Sequence, residues 1–153
     1  MAALHLMVGL PCSGKTTLAR RLAAELPALR LTPDEWQVRL FGQDADDADH
    51  DRRHAAIEAL LWGIAADALA LGTDVILDFS FWTKAERDDF RARAVAMGIE
   101  FRIHYAACAT DELLRRLKAR NAALPAGSFA IREAALRHWI TLFEPPDPEE
   151  LAV

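Results

Sequence analysis

The chain has 153 residues, 52% of them hydrophobic and 27% charged, which is enough apolar material to close a core and too much for disorder or low complexity. Eighteen Lys and Arg against 23 Asp and Glu give a formal net charge of −5, which argues against a broad surface tracking duplex nucleic acid while leaving room for a local basic pocket. No window approaches the roughly 18 uninterrupted apolar residues of a spanning helix, and the N-terminus has no basic stretch leading into a cleavable apolar one, so a soluble, cytoplasmic protein without a membrane partner is expected.

Leu4-His5-Leu6-Met7-Val8 is a short apolar run stopped by Gly9, the pattern of a strand buried on both faces of a parallel sheet. After a loop over 9–14, Leu18, Leu22 and Leu26 recur every four residues until Pro27, which predicts a helix. A brief strand over 29–31 leads to Thr32-Pro33-Asp34, where Thr32 or Asp34 can cap a short helix running to Leu40. Asp44, Asp46, Asp47, Asp49 and Asp51 crowd the next segment, which reads as a mobile, solvated loop; it lacks the Gly and terminal Glu of a calcium loop.

Ile57, Leu60, Leu61, Ile64, Ala65 and Ala68 keep a helical period over 54–71, with Gly72 as the stop. Val75-Ile76-Leu77-Asp78 is a second buried-strand run ending in a carboxylate, followed by a helix over 84–97 closed by Gly98. A fourth strand is expected over 99–105, a basic helix over 110–121, a break over 124–128 and a last helix over 131–143 before a Pro-rich tail. Alternating strands and helices without a linker predict an α/β fold in one domain, residues 1–153, with a mostly parallel sheet covered by helices on both faces. Ligands of such sheets sit beyond the C-terminal strand ends, where Gly9, Asp34 and Asp78 all fall.

Gly9-Leu10-Pro11-Cys12-Ser13-Gly14-Lys15-Thr16 matches GxxxxGK[ST] in full and lies between a strand and a helix, the context that the motif requires. Its glycines let successive backbone N–H groups gather round a polyphosphate at the positive end of a helix, which makes Gly9, Pro11, Cys12, Ser13, Gly14, Lys15, Thr16 and Thr17 the expected nucleotide-binding residues. Lys15 is expected to reach the β- and γ-phosphates of ATP, and Thr16 to ligate Mg²⁺. Asp78 has the form of the acid that an apolar strand delivers to the metal's water shell, though a strand-ending Asp also serves as a turn cap. Asp34 is a candidate general base for an attacking hydroxyl, or the cap of the helix that follows.

Arg115, Arg116, Lys118, Arg120 and Arg132 concentrate positive charge late in the chain, with Arg116 and Arg120 on one helix face. A lid over 110–132 could bring Arg120, and secondarily Arg116, to the transferred phosphoryl group, where cations stabilise charge and water is excluded. Arg39, Lys84 and Arg87 are weaker candidates for holding an acceptor, and Arg87 pairs equally well with a neighbouring acid. Ser80 offers a hydroxyl or a helix cap. Trp36, Phe79, Phe81 and Trp82 flank the expected cleft as stacking faces or as core. Cys12 and Cys108 are too far apart in sequence to suggest a metal pair, and the five histidines show no metal-binding spacing, which favours solvated or core roles.

On GLPCSGKTT at 9–17, TPDEW at 32–36, VILDFSFW at 75–82 and RRLKARN at 115–121, the chain resembles, along nearly its whole length, the predicted ATP-dependent kinases of the P-loop superfamily. That group includes polynucleotide 5′-kinases, zeta toxins and chloramphenicol phosphotransferase. The resemblance implies a five-stranded sheet of order 2-3-1-4-5, Asp34 as the base, Arg120 in a closing lid and a preference for ATP. Cys12 departs from the small residue common at its position and puts an oxidisable thiol beside the phosphates. The fifth strand is barely present, with only residues 151–153 to form it.

The leading expectation is therefore a kinase that passes the γ-phosphoryl group of MgATP to a hydroxyl of a small-molecule or nucleotide-like acceptor. A nucleotide-driven switch or ATPase is an alternative, weakened by the absence of an NKxD motif and of a paired Asp-Glu after the Val75 strand. A kinase of nucleic-acid 5′ ends is the other alternative, disfavoured by the net acidity.

Overall fold

The computed structural model describes residues 1–152. Strand β1 (Ala3–Val8) is buried throughout and leads by a tight loop into α1 (Lys15–Glu25). Strand β2 (Leu29–Leu31) leads to α2 (Pro33–Phe41) and the long α3 (His50–Ala70), and β3 (Val75–Ser80) to α4 (Lys84–Met97). Strand β4 (Glu100–Tyr105) precedes α5 (Thr110–Ala122), α6 (Glu133–Leu142) and the short α7 (Pro148–Leu151).

The four strands are parallel in the order β2-β3-β1-β4. Leu4 sits opposite Val75 on one side and Phe101 on the other, so β1 is central and its side chains have no route to solvent. Met7 and Ile76 pack on Ala19 and Leu22 of α1 on one face. Leu6, Val75 and Leu77 pack on the other face against Ile57, Leu61, Ala65 and Leu69, a stripe at four-residue spacing on α3. A smaller core, Leu10, Leu113, Leu117, Ile131 and Leu136, holds α5 and α6 against the loop after β1. Because the chain leaves β1 for one edge and returns through β3, the β1 loop and the C-terminal part of β3 meet at the switch point of the sheet.

Several expectations need correction. Among the described residues four strands form, and no fifth. Asp147 caps α7 by accepting from the Glu150 amide, Pro148 starts it, and the buried Glu150 pairs with Arg87 of α4, so Leu151 is helical; Val153 lies outside the described residues. Arg87, 1% exposed, is thereby a structural residue: it donates to the Phe81 carbonyl and to both oxygens of Glu150. Ser80 caps no helix, because Thr83 and Glu86 form the capping box of α4. Helix α3 starts at His50, four residues earlier than the apolar period suggests, and the acidic segment before it is not wholly solvated. Asp44 there is buried and bonded by Gln37, His50 and Arg53.

Candidate functional site

The loop after β1 is shaped by backbone geometry that its residues have to tolerate. Gly14, at φ +90°, precedes α1 in a left-handed conformation that costs a residue with a Cβ about 1–2 kcal/mol. A Cβ on Gly9 would lie 2.6 Å from the Ser13 hydroxyl and 3.2 Å from the Ala106 carbonyl, so only glycine lets the loop close onto the start of the next crossover. Cys12 also takes a positive φ of 70°, with no glycine to ease it. The first amides of α1 have no intrahelical partner and point out of the helix end, which makes this turn an anion cradle.

Asp78 lies inside β3 and not beyond its end, and its side chain is fully buried. Lys15 donates through Nζ to its Oδ1, while Thr16 and Thr32 donate to Oδ2 at 2.8 and 3.0 Å. Burial alone would raise the pKa of this carboxyl, but the Lys15 charge and the three hydrogen bonds outweigh it and hold the group below the usual carboxylate value. Thr32 is thus drawn to Asp78 and leaves the N-terminus of α2 without a side-chain cap. Asp34 is not that cap either: it stands in the first turn of α2, half exposed to the cleft, with His54 Nδ1 3.9 Å away.

One cleft of about 1320 Å³ joins these parts, lined by Lys15, Thr16, Thr17, Asp34 and Asp78 together with Pro11, Cys12, Gly14 and Arg120. That volume exceeds the roughly 300–1,000 Å³ of a site for one drug-sized ligand, leaving space for a nucleotide and a second molecule. The Ser13 side chain faces away from it, into a smaller cavity beside Tyr105 and Cys108. Arg116 donates to the Cys12 carbonyl at 3.3 Å, and Arg120 to the Cys12 sulfur at 3.5 Å and the Phe129 carbonyl at 3.2 Å. Arg115 pairs with Glu112 and Arg132 with Asp46, both on the surface. Lys84 is engaged with Asp88, and Arg39 and Trp36 lie outside the cleft, whereas Phe79, Phe81 and Trp82 line it.

The segment between α5 and α6 lines the cleft with Pro125 and residues 127–131. Gln43 donates to the Ser128 carbonyl at 2.7 Å and accepts from the Ala130 amide at 3.1 Å, and Phe129 meets His50 edge to face. Gly127 packs so close to Glu35 that a Cβ there would come within 3.0 Å of its side chain.

Three polar groups escaped the sequence reading. Gln37, buried, donates to Asp44 at 3.1 Å and accepts from His54 Nδ1 at 2.9 Å; this leaves His54 Nε2 facing Glu58 at 3.4 Å. Burial lowers the pKa of His54. Glu58 is raised to about 7 by burial, with Glu86 and Asp34 adding repulsion and Lys15 opposing it. The only sequence signal for His54 and Glu58 was their four-residue spacing on α3, which a solvated face shows equally.

The donor set fits a nucleoside triphosphate with a divalent ion. The cradle is closed by Gly9, where a Cβ would clash, and by Gly14 in its left-handed turn, and a hydroxyl and an ionised carboxylate lie together on Thr16 and Asp78, the oxygen donors that Mg²⁺ prefers. No curated protein matches the chain.

Among solved structures, a Chloroflexus aurantiacus protein provisionally designated a kinase superposes with a TM-score of 0.71 at 24% identity, over 96% of this chain and 83% of that one. A chain of the Pnkp1/Rnl/Hen1 RNA repair complex gives 0.73 at 22% identity, over 92% of this chain and 43% of that one. Chaetomium thermophilum Kti12, in complex with ADP-AlF3, gives 0.72 at 22% identity, over 95% and 82%. At these identities the likeness is one of fold, a kinase-type P-loop α/β domain. Residues 4–146 match the profile of the AAA domain family AAA_33, and the chain belongs to that P-loop family.

Proposed function

We propose that the protein is an ATP-dependent phosphotransferase that moves the γ-phosphoryl group of ATP to a hydroxyl of a small molecule. The observation that carries this reading is a single cleft with the glycine-lined phosphate cradle, Lys15, Thr16 and Asp78 at one end and the open carboxylate of Asp34 on its wall. A hydrolytic switch needs no such acceptor space. Among similar folds, one structure is an APS kinase of Mycobacterium tuberculosis with AMPPNP and APS bound, at 19% identity and a TM-score of 0.56.

In this reading the amides of Cys12 and of residues 14–17 at the α1 N-terminus bind the β- and γ-phosphates, and Lys15 leaves Asp78 to bridge them. Thr16 and Asp78 would hold Mg²⁺, which would offset charge on the phosphate oxygens. Asp34 accepts the proton of the acceptor hydroxyl as its oxygen forms the new bond to the γ-phosphorus. The bond from that phosphorus to the β,γ-bridging oxygen breaks, and ADP departs with the electron pair. Arg120 turns from Cys12 and Phe129 toward the migrating group, and Arg116 supports the Cys12 end of the loop.

The test is acceptor-dependent ADP formation. Lys15→Ala is expected to lose triphosphate affinity and turnover together. Asp34→Asn keeps ATP affinity and loses about 10²–10⁴-fold in kcat, the usual contribution of a positioned base. Full turnover by Asp34→Asn would refute its role, and calorimetry without Mg²⁺-dependent ATP binding to folded protein would refute the whole reading.

A further inference from the structure

The charges lining the cleft are unevenly spent. Lys15 is held by Asp78 and Arg20 by Glu35 at 2.9 Å, while Arg120 serves the phosphate end. Arg93 is neutralised by Asp89 at 2.7 Å and lies over the rings of Phe90 and Trp62 at 4.2 and 5.0 Å. Asp34, Glu58 and Glu86 are left facing the acceptor end, and among the described residues none of them has a Lys or Arg partner within 4 Å. His54, between Asp34 at 3.9 Å and Glu58 at 3.4 Å, has its pKa lowered by burial, with Asp34 acting against that shift.

This acidic end is also aromatic. Phe79, Phe81 and Phe90 pack together with ring centroids 5.0–6.1 Å apart, and Trp62 meets Phe90 edge to face. Trp82, which also lines the cleft, packs instead on Trp139 beside the α5–α6 core.

We propose, building on the phosphotransferase reading, that the acceptor is a cationic hydroxyl compound, an amino alcohol or aminated sugar, whose ammonium group is held among Asp34, Glu58 and Glu86 beside the aromatic wall. An ammonium group supplies the counter-charge that the wall lacks, and aromatic faces attract it further once water is removed. A phosphorylated or nucleic-acid acceptor brings like charge to three carboxyls and is disfavoured. The raised pKa of Glu58, set by burial, by Asp34 on α2 and Glu86 on α4 and opposed by Lys15 on α1, reports the same missing counter-charge. A bound ammonium ionises Glu58 and releases its proton, so affinity for the amine rises with pH up to and through about 7.

The full chain with MgATP is assayed for ADP formation above the no-acceptor background on matched triads: glucosamine, glucose and glucose 6-phosphate; then 2-deoxystreptamine, inositol and inositol monophosphate. The aminated member should be preferred by roughly tenfold or more in kcat/KM, a factor that one added charge pairing in a desolvated site supplies. Calorimetric affinity for 2-deoxystreptamine in the presence of MgAMP-PNP should climb with pH as described, and Glu86→Gln and Glu58→Gln, checked for folding by thermal melts, should erase the preference through KM. Preference for the neutral or phosphorylated member overturns the cationic acceptor while leaving phosphotransfer intact. ADP formation indifferent to all six compounds overturns the cationic acceptor, while the phosphotransferase reading falls only if MgATP itself fails to bind.

Discussion

Lys15 and Asp78, 63 residues apart in the chain, form an ion pair that ties the phosphate loop to the neighbouring strand β3. The pair holds the loop's cation away from the space where a polyphosphate would lie, and it gives the ligand-free protein a stability term that ligand binding must replace. Asp78→Asn strips the partner from a Lys15 side chain only 11% exposed, so the ligand-free protein should lose about 3 kcal/mol, toward the low end of the range for broken buried pairs because asparagine keeps the threonine bonds. Its pKa is depressed, so Asp78 stabilises fully above its ordinary value of 3.8 and loses that contribution as pH falls below it. Chemical denaturation of the variant should therefore show a flatter acid limb below pH 3.8; an acid limb identical to wild type would count against the pairing.

Glu58 behaves oppositely. Its folded pKa of about 7 lies above the ordinary 4.5, so the folded state binds the extra proton and stability falls as pH rises from 4.5 toward 7. Glu58→Gln should match wild type near pH 4.5 and be the more stable protein above pH 7, with the gap opening between those values. Equal melting temperatures at both ends of the range would be inconsistent with the buried carboxyl.

Gly14→Ala places a Cβ at φ +90° with ample room around it, the nearest atom being Arg116 Nη1 at 3.7 Å. Strain, and not collision, sets the effect: about 1–2 kcal/mol of stability is lost, or the loop relaxes and ATP affinity falls instead. Thermal melts paired with ATP titration distinguish these, and an alanine variant unchanged in both would contradict the left-handed turn.

Arg87 and Glu150 fasten α7 to α4. Arg87→Ala leaves Glu150 buried and alone, at about 3–5 kcal/mol, whereas Arg87→Met with Glu150→Leu should recover most of that loss. A double variant as unstable as the single one would show that the geometry of the charges, and not their pairing, sustains the tail.

The buried strands, the phosphate loop and its helix were legible because their signals are local: an apolar run, a fixed spacing, a period of four. Asp78 could be named from the run before it, yet its three donors come from α1 and from Thr32, and no local pattern joins those elements. The same holds for Arg87, where an acid on its own helix was expected and the tail supplied Glu150 instead. Asp44 looked like one of five interchangeable loop acids until Gln37, His50 and Arg53 closed round it. Glu58 goes unremarked in the sequence and His54 reads as solvated or core, because their exposure depends on where α2 and α4 pack against α3. The missing strand has a similar cause, since Asp147 and Pro148 start a helix at the point where the sheet would have needed an extended edge.

The bridge from Gln43 to Ser128 and Ala130, with Phe129 against His50, fastens the segment between α5 and α6 to the wall that carries Gln37 and His54. His50 in turn meets Gln37 Nε2 at 3.1 Å, so the segment over residues 128–130 and the histidines of α3 form one continuous set of contacts along the cleft wall.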